Sequence, residues 1–302
     1  MPEPTARDVG EFALIAAVVR RLGSSPAVLL GPGDDAAVVA APDGRVVVTT
    51  DVLVEGVHFR RDWSSPYDVG RKAAAANLAD VAAMGATGTA LLVGLAAPAD
   101  LPVSWALALA DGLRDEGALV GAVVVGGDTV TAAQVVVSVT ALGDLAGRPA
   151  VTRAGARPGD VIVVAGRLGW SAGGLRLLQT GTAAGPLVEA HRRPAPPYAT
   201  GVALALAGAT AMCDTSDGLV ADLGHVARAS GVVVALDSAR LADDAVSLHE
   251  VLTGGEDHAL VAALPAGVPL PDGVRAIGRV SAGAAVVLVD GEPVTGGWEH
   301  FG

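Results

Sequence analysis

The sequence predicts two domains of mixed α/β or α+β architecture. Three observations point there. The chain has 302 residues, enough for two separate cores. Short β-branched runs alternate with Ala-rich amphipathic stretches through both halves. A Gly-, Pro- and Arg-rich stretch without periodicity, residues 143–159, lies between them. The expected domains are therefore 1–148 and 149–302, and no short-period repeat runs through either.

In chain order, residues 11–22 read as an amphipathic helix ended by Gly23, and 45–50 as a strand rich in valine. Residues 67–84 are Ala-rich and stop at Gly85, the expected helix end. A strand at 91–95, a helix at 103–116 and strands at 122–125 and 134–142 complete the first half. The second half opens with a strand at 161–165, a Gly-rich turn at 166–174 and a helix reaching Gln179. Pro194, Pro196 and Pro197 mark a loop. A helix at 199–206, a strand at 209–213, a helix at 217–230 and a strand at 232–236 follow.

Composition removes several function classes. Lys plus Arg is 20 and Asp plus Glu is 32, a net charge of −12, which argues against general binding to nucleic acid or anionic membrane. Hydrophobic residues make up 51%, so the chain can fold, and aromatics only 3%, so Ala, Val and Leu must build the core. Mean hydropathy is +0.51, yet the apolar runs are short and broken by Gly, Pro or Asp, so no transmembrane helix is expected. No apolar signal-peptide core follows Met1, so the expected location is cytoplasmic. Cys213 is the only cysteine and lies in an apolar run, which excludes an internal disulfide and suits a buried small hydrophobe. Lys72 is the only lysine, and Gly70-Arg71-Lys72-Ala73 is no Walker motif. Phosphate, if handled, must be held by metal ions, arginine and backbone amides.

Acidic residues concentrate in six places: Gly31-Pro32-Gly33-Asp34-Asp35, Thr49-Thr50-Asp51, Asn77-Leu78-Ala79-Asp80, Gly126-Gly127-Asp128-Thr129, Asp214-Thr215-Ser216-Asp217-Gly218 and Gly254-Gly255-Glu256-Asp257. Asn77 and Asp80 are three apart and share a helix face. Each element alone also suits an ordinary solvated turn or strand end, and Ser216 or Asp217 suits a helix N-cap. Together they are self-repelling unless cations neutralise them. Carboxylate oxygens suit Mg²⁺, and several Mg²⁺ ions bridging to a polyphosphate point to ATP chemistry without a P-loop.

These motifs, together with 50–59 (TDVLVEGVHF), 77–86 (NLADVAAMGA), 148–160 (RPAVTRAGARPGD) and the C-terminal Gly297-Trp298-Glu299-His300-Phe301, resemble the thiamine-monophosphate kinase family in order along nearly the whole chain. The resemblance implies a two-domain AIR synthetase-like fold, α/β then α+β. It implies a homodimer in which the N-terminal sheet completes a β-barrel with its copy. It also implies transfer of phosphate from ATP to thiamine monophosphate, with several Mg²⁺ ions. By motif, Asp35, Thr49, Thr50, Asp51, Asp80, Asp128, Asp214 and Asp217 match magnesium positions, with Asp34 beside them. Gly127, Asp128, Arg153 and Ser216 match nucleotide positions, and His58, Glu256 and Trp298 match acceptor positions. Asp51, Asp128 and Arg153 are the expected catalytic residues.

The sequence departs from the family pattern at His258-Ala259, where Tyr-Glu is usual, and at Pro32. The rivals are other ATP-using members of the superfamily and a non-catalytic Mg-nucleotide-binding protein. A selenophosphate synthetase needs a reactive N-terminal cysteine and a carbamoyl-dehydrating hydrogenase-maturation relative a C-terminal one, and neither is expected here. A non-catalytic relative is expected to lack the metal carboxylates.

Overall fold

A computed structural model of the chain describes residues 3–32 and 36–299, the side chains of residues 11 and 12 aside. It separates into two compact units, residues 1–81 with 87–146, and residues 82–86 with 147–302. Asp34 and Asp35 lie outside the described residues, as do His300 and Phe301.

The first unit begins with α1 (Ala6–Val9), closed by a capping box between Thr5 and Asp8. Next come α2 (Glu11–Val19) and the short paired strands β1 (Val28–Leu30) and β2 (Val38–Val39). The helix expected over 11–22 ends at Val19, because Arg21 and Leu22 donate to Val18 and Val19 in tight turns. β3 (Val47–Val54), α3 (Pro66–Ala83), β4 (Thr87–Ala97), α4 (Val103–Ala118), β5 (Val123–Thr131) and β6 (Val136–Asp144) follow. The sheet runs β3-β6-β4-β5, with β4 and β5 parallel and the other pairs antiparallel.

β3, β4 and β5 are all longer than apolar runs alone foretell. Polar residues continue the ladder because a neighbouring strand supplies their backbone partners. Thr49, Thr50 and Asp51 therefore sit inside β3, opposite Ala141, Thr140 and Val139. Gly127 and Asp128 sit inside β5, opposite Val93 and Gly94. The sequence places these residues at or beyond strand ends, and the pairing corrects that.

One sheet face is covered: α3 presents Ala75, Leu78 and Ala79, and α4 presents Trp105, Leu109 and Leu113, all buried. On the other face Val48, Val52, Leu92 and Val130 are 64%, 44%, 38% and 53% exposed. Register puts these four on one side of the sheet.

The second unit contains β7 (Val161–Ala165), α5 (Trp170–Gln179), α6 (Pro186–Arg192), α7 (Tyr198–Leu206), β8 (Ala211–Asp214), α8 (Leu219–Ser230), β9 (Val232–Leu236), α9 (Leu248–Thr253), β10 (Leu260–Leu264), β11 (Val274–Ala282), β12 (Val286–Val289) and β13 (Glu292–Pro293). Its sheet runs β13-β12-β9-β11-β7-β10-β8. Strand alternation divides the core into two layers. Ile162, Val164, Cys213 and Val261 pack with Leu219, Leu223 and Val226 of α8. Val163, Met212, Leu260 and Ala262 pack with Leu204 of α7. Cys213 is buried in the first layer, and burial pushes its thiol pKa well up, as do the Asp222 and Asp214 charges. It is a packing residue.

Among the described residues no helix is long and apolar enough to cross a membrane.

Candidate active site

In the first unit α3 lies against β3 and polar residues link them. Thr49 Oγ1 donates to Asp80 Oδ2 at 2.7 Å. The Asp51 amide donates to Asn77 Oδ1 at 2.9 Å, and Asn77 Nδ2 donates to the Ala73 carbonyl at 2.9 Å. The helix face that the Asn77–Asp80 spacing suggests is thus the face turned to Thr49 and Asp51. Thr50 points to the opposite side of the strand. Its hydroxyl donates to the Val139 carbonyl at 3.0 Å and accepts from Thr140 Oγ1 at 3.1 Å.

Asp128 stands apart from that group. β3 and β5 are opposite edges of the four-stranded sheet, roughly 14 Å apart by strand spacing. Register also places Asp128 on the open face and Asp51 on the helix face. Asp128 Oδ1 accepts from the Thr129 amide at 2.8 Å. Gly127 meets β4 closely: a Cβ there would lie 1.9 Å from the Val93 carbonyl oxygen, so only glycine fits.

His58 lies in the loop after β3. Its Nδ1 accepts from the Val54 amide at 3.0 Å, which leaves the neutral ring's proton on Nε2. Lys72 is buried, and its Nζ donates to the His58 carbonyl at 2.9 Å. The chain's only lysine braces this loop. Glu55, Gly56, Arg60, Arg61 and Asp62 line an adjoining open cleft of about 670 Å³. Its arginines are paired, Arg61 with Glu55 at 2.6 Å and Arg60 with Asp62 at 2.5 Å.

In the second unit two loops and the C-terminal segment converge. The loop after β8 holds Asp214, Thr215, Ser216, Asp217 and Gly218, and the loop before β10 holds Glu256, Asp257 and His258. The Glu256 amide donates to the Ser216 carbonyl at 2.9 Å, and the His258 amide to the Thr215 carbonyl at 3.1 Å. The Trp298 amide donates to the Asp217 carbonyl at 2.9 Å, and the residue is 56% exposed. Glu256 and His258 both have positive φ, 65° and 51°.

The sequence expects Ser216 or Asp217 to cap α8, and the structure corrects this. Gly218 is the N-cap residue, with φ 122°, and no side chain caps from that position. A Cβ on Gly218 would lie 2.8 Å from the Thr253 carbonyl group. Instead Asp222, inside the first turn, accepts from the Asp217 and Gly218 amides at 3.1 Å each. Burial, with the Asp214 and Asp217 charges, raises its pKa to about 7.

Asp257 has the matching role at α5. Its carboxylate accepts from the Gly169 amide at 2.5 Å and the Ser171 amide at 2.8 Å, 88 and 86 residues away. Burial raises its pKa to about 6 although these hydrogen bonds oppose the shift. Next to it Ser171 Oγ and His191 Nδ1 are 3.1 Å apart, and His191 Nδ1 lies 3.9 Å from Glu256 Oε2. Asp222 and His191 are functional candidates that sequence reasoning misses, while Asp257 belongs to the sixth acidic motif but its contact with α5 is not foreseen. The signal for Asp222 was its acid in a first helical turn. His191 has no local signal.

Arg153 is exposed, and its carbonyl accepts from Ser230 Oγ at the end of α8 at 3.2 Å. Burial lowers the His225 pKa, and the nearby Arg153 and Arg228 guanidinium charges add to this, placing Arg153's charge beside α8. Among the described residues no three His, Cys, Asp or Glu side chains converge closely enough to hold a metal ion. The donors near Asp51 and Asp214 are nonetheless carboxylate and hydroxyl oxygens, which suit a hard cation such as Mg²⁺.

The comparisons with known proteins agree with one another. Residues 33–145 match the N-terminal domain of AIR synthase related proteins, and residues 157–291 the C-terminal domain. The chain is 52% identical to the thiamine-monophosphate kinase of Mycobacterium tuberculosis over 99% of its own length and 94% of the relative's. It is similar to the crystal structure of thiamine-monophosphate kinase from Stenotrophomonas maltophilia K279a, with TM-score 0.81, 36% identity, and 94% and 98% of the two chains covered. It is also similar to AaThiL complexed with AMPPCP and TMP, with TM-score 0.80, 34% identity and 98% of each chain covered. On these grounds the chain belongs to the thiamine-monophosphate kinase family of AIR synthase related proteins.

Proposed function

We propose that this protein transfers the γ-phosphoryl group of ATP to thiamine monophosphate, giving ADP and thiamine diphosphate. The observation that carries the proposal is full-length kinship at 52% identity to a thiamine-monophosphate kinase. The acidic motifs of both units are intact within it.

The acceptor is itself a phosphate. A phosphate monoester has a second pKa of about 6 and is largely dianionic at neutral pH, so its oxygen needs no protein base to become a nucleophile. The obstacle is repulsion between two anions. Arg153 is permanently charged and free to grip phosphate oxygens in pairs. Gly127 and Ser216 bring backbone amides and a hydroxyl to the nucleotide. His58, its ring held by the Val54 amide at Nδ1, serves the acceptor. Glu256 balances the thiazolium charge, and the exposed ring of Trp298 stacks on the acceptor's aromatic system.

Mg²⁺ would be held by Asp35, Thr49, Thr50, Asp51, Asp80, Asp128, Asp214 and Asp217, and when bound it supplies neutralisation of phosphate charge. Asp51 and Asp128 lie at opposite edges and on opposite faces of one sheet, so within one chain they serve different cations. This favours several ions over one. The carboxylates hold cations and act on no proton, and transfer is direct and in line, without a phosphoenzyme.

The open face of the first unit's sheet, with Val48, Val52, Leu92 and Val130, is covered by the same face of a second copy. Two such sheets close a β-barrel and remove both sets of exposed edges. The enzyme is accordingly a homodimer, and it acts in the cytoplasm.

The test is ADP release with each acceptor. Thiamine monophosphate is expected to support ADP release in the presence of Mg²⁺, and free thiamine is not. Release with free thiamine alone would overturn the assignment.

A further inference from the structure

Asp214 ends β8 as a buried carboxylate. It is packed among other acids, since the charges of both Asp214 and Asp217 act on Asp222. An imidazole lies within hydrogen-bond distance of it. His258 Nδ1 lies 3.0 Å from Asp214 Oδ2, and His258 is buried as well. An ionised carboxylate only accepts, so Nδ1 carries the proton and donates.

The backbone around this pair is clamped from both sides. The His258 amide donates to the Thr215 carbonyl at 3.1 Å, and the Thr215 amide donates to the Ala259 carbonyl at 2.8 Å. Thr215 Oγ1 accepts from the Ala259 amide at 3.1 Å. β8 and β10 continue the register with Leu260 opposite Asp214. His258 holds φ 51°, a conformation that His, Asn and Asp adopt more readily than most residues. The ring is therefore fixed relative to Asp214 by the chain itself.

We propose that His258 is a positioning residue for Asp214: by holding Oδ2 it fixes the rotation of the carboxylate, so that Asp214 meets its cation already oriented. The departure at residue 258 from the family's tyrosine replaces a distal phenol with a ring nitrogen close to the backbone, which reaches Asp214 at the end of β8. This rests on Asp214 holding Mg²⁺, as proposed above. Groups that orient a metal-binding side chain typically change metal affinity about 10- to 100-fold when removed.

The experiment is calorimetric titration of the full-length protein with Mg²⁺ in the presence of a non-hydrolysable ATP analogue. Asp214→Asn and His258→Phe should each weaken Mg²⁺ binding, His258→Phe on the order of 10- to 100-fold. His258→Asn keeps an N–H near the position of Nδ1 and tolerates the positive φ, so it should return affinity close to wild type. Nitrogen NMR of the histidine-labelled wild-type protein should show a proton on His258 Nδ1, a readout that needs no variant to fold. Weakening by Asp214→Asn but not by His258→Phe overturns the role of His258 alone. So does failure of His258→Asn to restore binding, or an unprotonated Nδ1. Unchanged Mg²⁺ affinity in Asp214→Asn overturns the assignment of Asp214 first, and the role of His258 with it.

Discussion

Asp51 and Asp128 show how one residue type acquires two placements. Both sit in the strands of a single sheet, but Asp51 faces α3 while Asp128 stands on the open face at the far edge. Both are proposed above as cation ligands. Asp51→Asn and Asp128→Asn should each lower kcat by about 100-fold or more while leaving the circular dichroism spectrum unchanged. Near-normal kcat at saturating Mg²⁺ in either variant would remove that residue from the site. Trp298 makes its backbone contact through Asp217 and leaves its ring exposed. Trp298→Ala should raise KM for thiamine monophosphate by roughly 3- to 10-fold and leave KM for ATP alone. Equal effects on both would argue against stacking. At this scale the sequence is legible where spacing is local. Asn77 and Asp80 share a face because they are three apart on a helix. The Asp214–His258 pair, 44 residues apart, is joined only by the pairing of β8 with β10.

At the scale of elements, polar and glycine residues extend strands that apolar patterning would end. Gly127 lies in β5 because nothing larger fits against Val93. Gly127→Ala should therefore destabilise the first unit by about 1–3 kcal/mol, read as a lowered denaturant midpoint. An unchanged midpoint would mean that β4 and β5 separate more easily than their register suggests. α5 and α8 are both started by buried carboxylates rather than by their own N-cap residues. For Asp257 the folded pKa is raised from 3.8 to about 6, so the folded state holds the proton more tightly than the unfolded chain does. The stabilisation this confers is whole below the ordinary carboxylate value and is lost as pH rises through about 6. Thermal unfolding without divalent cations should show Tm falling between about pH 4 and pH 7, and Asp257→Asn should make the fall shallower. An identical slope in the variant would show that Asp257 does not carry the effect. These caps were not readable beforehand. Asp257 reaches Gly169 and Ser171 across 88 and 86 residues, and Asp222 displaces Ser216 and Asp217 from a capping role that their types suit. β7 and β9 were readable with their bounds because they are short, uninterrupted apolar runs flanked by glycine.

At the scale of the whole molecule, one side of the first unit's sheet is covered by α3 and α4, and the other carries the exposed Val48, Val52, Leu92 and Val130 beside Thr50 and Asp128. Val48→Glu with Val52→Glu should convert a dimer into monomers in analytical ultracentrifugation, since two charges would face the partner sheet. A wild-type protein that sediments as a monomer would contradict the dimer directly. The acidic balance of −12 includes the carboxylates assigned to Mg²⁺. The lack of lysine other than the buried Lys72 leaves phosphate to arginine, amides and cations. The most direct measurement follows the γ-phosphate of labelled ATP through one turnover with thiamine monophosphate. The label should appear only in the terminal phosphate of thiamine diphosphate, with none bound to protein. Label trapped on an aspartate of the enzyme, or found only in thiamine monophosphate made from free thiamine, would contradict direct transfer to a phosphate acceptor.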